Sequence, residues 1–432
     1  MLPGDSPGSQ FSISEKLERL PQKIGCSIQR GVITYRHTER LTESVNDSAT
    51  TPLTAALIFA TAIAVVNGFG RFAYALLLPV MRDDLTWDYA LAGWLNTANS
   101  LGYGVGALAG LFLLSRFRPA QLFVAGLGVT IVTLLLCGVT RDLSLMMFWR
   151  FACGIGSAWV FACGGALVAA HYAKEPAQAA GAIAIYYAGG GLGIALSGVL
   201  LYPVLGTVAG QHWSWPAGWV VLGVAALLLS IAPSRLALRI GGQTSTLTSE
   251  RLNWRNYTPI MVAYFLFGVG YIVYVTFVIA WLKDMRMGFE TSIGVWLVLG
   301  IASMASGYVW RKAMANWWPV HTFAAVTVCS ALGTVLPLLS NHLSVLLMSA
   351  VLVGGSFFMA PGAIMALTRS TLPAQLWARA MSLFTLVFAI GQGVGPVAAG
   401  WIADRHGLNL AMAAGAATLV LCAAVALLQP RH

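Results

Sequence analysis

Arg71 and Arg150 are the residues whose chemistry stands out, because each carries a charge in the middle of a long apolar run. A cation at that depth in hydrocarbon costs a few kcal/mol or more unless it faces protein, water or a partner, so a buried guanidinium needs a reason. The functional reason is an anion clamp, since the planar fork of Arg matches carboxylate or phosphate. The structural alternative is that each arginine binds helix carbonyls and ties neighbouring helices together. Polar and aromatic residues share faces with these charges or stand opposite them. Asn67, Arg71 and Tyr74 recur at i, i+4 and i+7, as do Asn96, Asn99 and Tyr103, and likewise Tyr264, Tyr271 and Tyr274. A cationic face opposite an aromatic face would suit an organic anion with an apolar or aromatic body, whereas Asn and Tyr within spans also serve as interhelical hydrogen-bond links. The expected binding set is therefore Asn67, Arg71, Tyr74, Asn96, Asn99, Arg150, Tyr271 and Tyr274.

The elements that must position these groups are set by composition. Of 432 residues, 58% are hydrophobic and 9% charged, against about 45–50% and 25% in soluble domains. The mean hydropathy is +0.76. This excludes a soluble enzyme, a nucleic-acid binder and a secreted scaffold. Apolar runs fall at 54–80, 89–114, 120–139, 144–171, 178–205 and 215–236, then at 258–282, 289–311, 319–340, 343–369, 376–402 and 407–429. Each can cross ~30 Å of hydrocarbon, so the fold class expected is an all-α membrane protein of twelve transmembrane helices in two six-helix bundles. The domains expected are a polar, unstructured tail over 1–50, a first bundle over 51–231, a basic linker over 232–257 and a second bundle over 258–429.

The net charge of +10 lies on the apolar body, because residues 1–50 hold six basic and six acidic residues. With a cytoplasmic N-terminus, twelve basic residues, among them Arg116, Lys174, Arg235 and Arg255, fall in inner loops, and five fall in outer loops. That asymmetry predicts a multi-pass protein of the inner (plasma) membrane with both termini cytoplasmic. The tail has no positive-then-apolar pattern with a cleavage site, so no signal peptide is expected; a translation start further downstream is the alternative reading. Five of the six cysteines lie in apolar stretches, and no Cys/His ligand spacing occurs, so neither disulfides nor a metal are expected. The P-loop, HExxH and GxSxG motifs are absent, and Gly104-x-Gly106-x-x-Ala109 lies within a span without a preceding strand. The chain thus reads as a non-enzyme without cofactor. Its expected partners are a small-molecule substrate, the lipid bilayer and either protons or a counter-anion; it reads as a monomer that does not bind nucleic acid.

The halves repeat. Gly68-Phe69-Gly70-Arg71-Phe72-Ala73-Tyr74 aligns with Gly268-Val269-Gly270-Tyr271-Ile272-Val273-Tyr274 at an offset of 200, Pro119 with Pro319 at 200, and Gly191 to Gly198 with Gly393 to Gly400 at 202. Three matches at nearly one offset indicate a duplicated six-helix unit with parallel repeats.

Six plus six spans, a basic middle loop and parallel repeats together resemble the major facilitator superfamily. Arg150-Phe151-Ala152-Cys153-Gly154-Ile155-Gly156 is similar to its fourth-span Arg-x-x-x-Gly-x-Gly pattern, and Gly395-Pro396 through Gly400 to its Gly-Pro-x-x-x-Gly element. Asn67-Gly68-Phe69-Gly70-Arg71-Phe72-Ala73-Tyr74, Leu77-Leu78-Pro79 and Trp94 to Tyr103 resemble the YbfB/YjiJ-like subgroup. The resemblance spans about residues 52–429. It implies a secondary transporter working by alternating access, with spans one and four lining a central, water-accessible vestibule. One departure is that Ser115 precedes Arg116 where the superfamily carries an Asp-Arg pair. Drug efflux by an antiporter is the alternative within the class, and a non-transporting receptor or scaffold the alternative outside it. The candidates for ion coupling are Asp83, Asp84 and His171, because no acid lies deep in a span.

Overall fold

A computed structural model of the protein describes residues 53–207, 212–242 and 254–431. The expectation of an unstructured tail falls on residues outside that set. The first helix, α1 (Thr54–Leu85), is followed by α2 (Tyr89–Leu113), α3 (Pro119–Val139), α4 (Leu143–His171), α5 (Gln178–Gly206) and α6 (Ser214–Ile240). The second set comprises α7 (Thr258–Asp284), α8 (Phe289–Asn316), α9 (Pro319–Leu339), α10 (Leu343–Thr371), α11 (Trp377–His406) and α12 (Leu408–Ala426). Eleven of these are long and apolar enough to cross a membrane. The other, α2, is 25 residues long without a charge, but Asn96, Thr97, Asn99 and Ser100 dilute its apolarity. The fold is thus the expected all-α membrane architecture of two six-helix halves.

One boundary differs. The sixth helix continues to Ile240, four residues beyond the apolar run over 215–236 and nine beyond the expected bundle boundary at 231, and Gly241 stops it with φ of 72°. Arg235 and Arg239 therefore extend from helix, as suits cations near a helix C-terminus.

The duplication is visible in backbone detail. The first and seventh helices end at residues 200 apart in the same turn, with Thr86 at φ 52° and Arg286 at φ 57°. In each turn the following N–H reaches back five residues, Trp87 to Arg82 O and Met287 to Leu282 O, both at 3.0 Å. Two non-glycine residues held in the left-handed region at matched positions are costly enough that chance recurrence is a poor account.

Packing within the halves depends on small residues. At Gly102 a Cβ would lie 1.9 Å from Phe151 O, and at Gly154 one would lie 2.1 Å from Asn99 O, so α2 and α4 meet backbone to backbone. This is the close approach that glycine permits in membrane helices, where lipid supplies no hydrophobic drive for association.

The halves meet along two seams and a polar end. In the α5–α8 seam a Cβ on Gly191 would fall 2.6 Å from Gly300 O, and Trp296 Nε1 donates to Ser197 Oγ at 3.1 Å. In the α2–α11 seam Thr97 Oγ1 donates to Gly393 O at 2.5 Å. At the end carrying the α1–α2 turn, the Asp404 carboxylate accepts from the Tyr89 and Ala90 N–H groups at 2.8 and 2.9 Å. Those are first-turn amides of α2, so a carboxylate from one half neutralises a helix N-terminus of the other. Tyr89 Oη donates to Asp284 at 2.8 Å, and Lys283 pairs with Asp83. That end is closed.

Candidate functional site

The site is built on a distortion in α1. Ala64–Phe72 is a π-helix, closed by Ala73 N–H donating to Gly68 O at 2.8 Å. Such segments shift the backbone register, and they cluster at functional positions. Gly68 is needed for contact, because a Cβ there would lie 2.3 Å from the Gly193 backbone of α5.

The carbonyls at the end of this segment are claimed by Arg150. Its Nη1 donates to Gly70 O at 2.5 Å and its Nη2 to Arg71 O at 3.4 Å. The guanidinium lies 5.4 Å from the ring centres of both Tyr74 and Trp219, and the side chain is fully buried. Of the two readings of Arg150, the geometry matches the brace: Nη1 and Nη2 face backbone carbonyls and its faces are covered by rings, while Nε, like that of Arg71, has no hydrogen-bond partner. Asn99 joins the same brace, with Nδ2 donating to Arg150 O at 3.1 Å. Tyr74 Oη donates to Ala92 O at 2.7 Å, and Tyr274 Oη shares a hydrogen bond of 2.8 Å with Ser349 Oγ. These four, expected in a binding set, hold helices in contact here.

Arg71 is different. Its guanidinium lies 4.8 Å from the Tyr103 ring centre, and Nη2 donates to the Gln392 side-chain oxygen. The Gln392 amide nitrogen donates in turn to Tyr271 Oη. Among the described residues, no carboxylate pairs with Arg71, and its Nε has no hydrogen-bond partner. Asn67 is buried one turn earlier on the same helix. Asn96 Nδ2 donates to Thr276 Oγ1 of α7 at 2.6 Å, while Asn96 Oδ1 is unpartnered.

Facing Arg71 is a set of nearly parallel rings. Tyr264 and Phe388 stack at 4.6 Å and 7°, Phe267 and Tyr271 at 5.1 Å and 10°, and Tyr271 and Phe388 at 5.7 Å and 10°. Phe72 of α1 meets Phe357 and Phe358 of α10 edge-on, both at 5.8 Å, so the rings also bridge the halves. The result is a cation linked through Gln392 to a stack of flat ring faces, a chemistry that would suit an anion with a planar body.

One expectation needs correction. Arg150 reaches the Arg71 carbonyl, but the two arginines are 0% and 5% exposed, so neither lies beside the water-accessible vestibule that the resemblance implied. The aromatic stack and Gln392 fill that space. The three coupling candidates lie at helix ends, away from Arg71. Asp83 pairs with Lys283 and Arg82; Asp84 binds His212, Arg141 and the Trp215 indole N–H, fastening three turns of the first half; His171 is exposed at the far end of α4 beside Tyr172. Gln392 was not singled out by sequence. The signal was present, since Gly391-Gln392-Gly393 puts an amide inside an apolar span, where a polar side chain needs a partner.

Residues 63–427 match the family described as "Uncharacterised MFS-type transporter YbfB". The chain is 26% identical over 359 residues to the "Uncharacterized MFS-type transporter YceJ" of Bacillus subtilis (strain 168), covering 81% of this chain and 83% of that protein. In fold it is similar to the nucleoside transporter NupG, at a TM-score of 0.68 with 12% identity, over 88% of this chain and all of that one. A bacterial homologue of the human lysosomal transporter Spinster, in an inward-facing and unoccupied conformation, aligns at a TM-score of 0.64 with 14% identity, over 88% and 97% of the two chains. At such identities the structures speak to the fold alone, whereas the family match extends over both six-helix halves. The chain therefore belongs to the YbfB family of MFS-type multi-pass membrane transporters.

Proposed function

We propose that this transporter moves a small organic anion by alternating access, with Arg71 holding the anionic group and the ring stack of α7, α10 and α11 facing a planar apolar body. The observation that carries this reading is a buried guanidinium whose partners are neutral: an amide oxygen and ring faces, with no carboxylate among the described residues. A permanent charge left unneutralised at that depth is costly, and an anionic ligand offsets the cost. The same cation disfavours efflux of cationic drugs, because it would repel them. Alternating access follows from two six-helix halves joined at seams of glycine and short polar contacts, which can separate at one end without unfolding either half. The charge asymmetry of the loops supports cytoplasmic termini.

The test is uptake of radiolabelled benzoate, phenylacetate and hydrocinnamate into proteoliposomes, beside a panel of toxic cations. Arg71→Ala should retain expression and lose anion uptake by roughly 10- to 100-fold, the range set by one hydrogen bond to a charged group. Transport of none of the three anions, or unchanged uptake by Arg71→Ala, would overturn the reading.

A further inference from the structure

The anion position at Arg71 is already filled, and the chain fills it from its own second half. Gln392 Oε1 accepts from Arg71 Nη2, and Gln392 Nε2 donates to Tyr271 Oη. Gln392 is fully buried, and its amide occupies the Nη2 donor that a ligand's carboxylate would use. Its backbone is fixed as well. A Cβ on the preceding Gly391 would lie 2.2 Å from Phe265 O of α7, and the following Gly393 carbonyl accepts from Thr97 of α2. In the closed protein these contacts hold the α11 backbone at Gln392 against α7 and α2.

An amide oxygen is a poor match for what it contacts. A guanidinium offers five N–H donors in a fork. Here the Gln392 oxygen takes one, and Nε is left unpartnered. A carboxylate would bring two charged oxygens that fit the fork, in bonds roughly twice as strong as neutral ones. Exchanging the amide for a carboxylate therefore favours the ligand at this position.

We infer that Gln392 is an internal stand-in for the substrate's carboxylate: its amide holds Arg71 in the empty, closed protein, and the incoming anion must displace it. This rests on the reading of Arg71 as the anion-holding residue. Gln392 is then a specificity-determining residue of α11, with two consequences. Displacing it weakens apparent binding, so weak acceptors such as neutral analogues cannot enter. Displacement also breaks the Arg71–Gln392 link between the halves, so binding itself loosens the closed centre.

Opposite responses to two substitutions at one position test the idea. The full-length protein and its Gln392→Leu, Gln392→Glu and Arg71→Ala variants would be purified, and benzoate, phenylacetate and hydrocinnamate binding measured by equilibrium titration and thermal shift. Gln392→Leu removes the competing acceptor and should bind the anion roughly 10- to 100-fold more tightly, the span set by one hydrogen bond to a charged group. Gln392→Glu tethers a carboxylate at Arg71 and should weaken binding by at least tenfold. Gln392→Ala replaces the leucine variant if that one does not yield monodisperse protein, and should change affinity in the same direction. Both substitutions weakening binding, or neither changing it, while Arg71→Ala abolishes it, would overturn this inference and leave the assignment of Arg71 standing. Binding intact in Arg71→Ala would overturn that assignment, and this inference with it.

Discussion

Asp83 and Lys283 occupy the same position in the two repeats, 200 residues apart, and they pair with each other across the junction of the halves. The duplication that placed an acid at the end of α1 and a base at the end of α7 thus supplies a symmetric latch with complementary charges. Around it lie Tyr89 on Asp284 and Asp404 on the first amides of α2.

Both partners of the latch are about half exposed, so its free energy is about 0–1 kcal/mol. Melting temperature should hardly respond, while the population opened at that end should. Asp83→Lys is expected to raise the labelling rate of Asn96→Cys by about 2- to 5-fold, in a background without the native cysteines. The double exchange Asp83→Lys with Lys283→Asp should return the rate to its starting value. Labelling indifferent to the single reversal would show that the aspartate at 404 and the seams close that end unaided.

Arg150 and Arg71 should separate under mutation. Arg150→Ala removes the guanidinium from the Gly70 and Arg71 carbonyls, leaving Gly70 O only the longer contacts from Asn99 Nδ2 at 3.4 Å and Cys153 Sγ at 3.5 Å, at about 1–3 kcal/mol for each carbonyl left unpaired. A lowered apparent melting temperature and poorer yield of folded protein are expected. Arg150→Lys should recover only part of this, since an ammonium lacks the fork that spans two successive carbonyls. Arg71→Ala orphans one buried acceptor, the Gln392 oxygen, but also removes an unneutralised buried charge, so it should lower the melting temperature less than Arg150→Ala while failing in binding. Equal destabilisation by the two alanine variants would contradict the division of roles.

The tyrosines divide in the same way. Tyr74→Phe and Tyr274→Phe each lose one buried hydrogen bond, to Ala92 O and to Ser349, and should cost about 0.5–1.5 kcal/mol of stability with unchanged anion affinity. Tyr271→Phe removes the hydroxyl that anchors the Gln392 amide, and it should alter affinity. Titrating the three variants against benzoate, with melting curves in parallel, gives both readouts.

Two glycine-to-alanine changes make a matched pair. At Gly102 the new methyl would meet Phe151 O at 1.9 Å, whereas at Gly128 nothing lies within 4 Å. Gly102→Ala must push α2 and α4 apart, at a cost of about 1–3 kcal/mol. Gly128→Ala should be neutral or stabilising by up to about 1 kcal/mol, because alanine is the better helix former. Thermal unfolding of the two purified variants decides the matter.

By itself the sequence determined the twelve spans, the repeat and the two buried arginines. Each rests on a one-dimensional signal: apolar run length against membrane thickness, recurrence at an offset of 200, and the solvation cost of a charge in hydrocarbon. Helical spacing also put Asn67, Arg71 and Tyr74 on one face, but a shared face does not say what lies opposite. Tertiary structure alone decided that Arg150, Asn99, Tyr74 and Tyr274 turn to backbone or neighbouring helices, and that Arg71 turns to the other half. The π segment made the difference, since it presents Gly70 and Arg71 carbonyls to Arg150, and no residue pattern announces that shift in register. Gln392 escaped notice because its partners, Arg71 and Tyr271, are 321 and 121 residues away. Hydrogen bonds of that range form only when the two halves close, so their pairing is a property of the packed molecule.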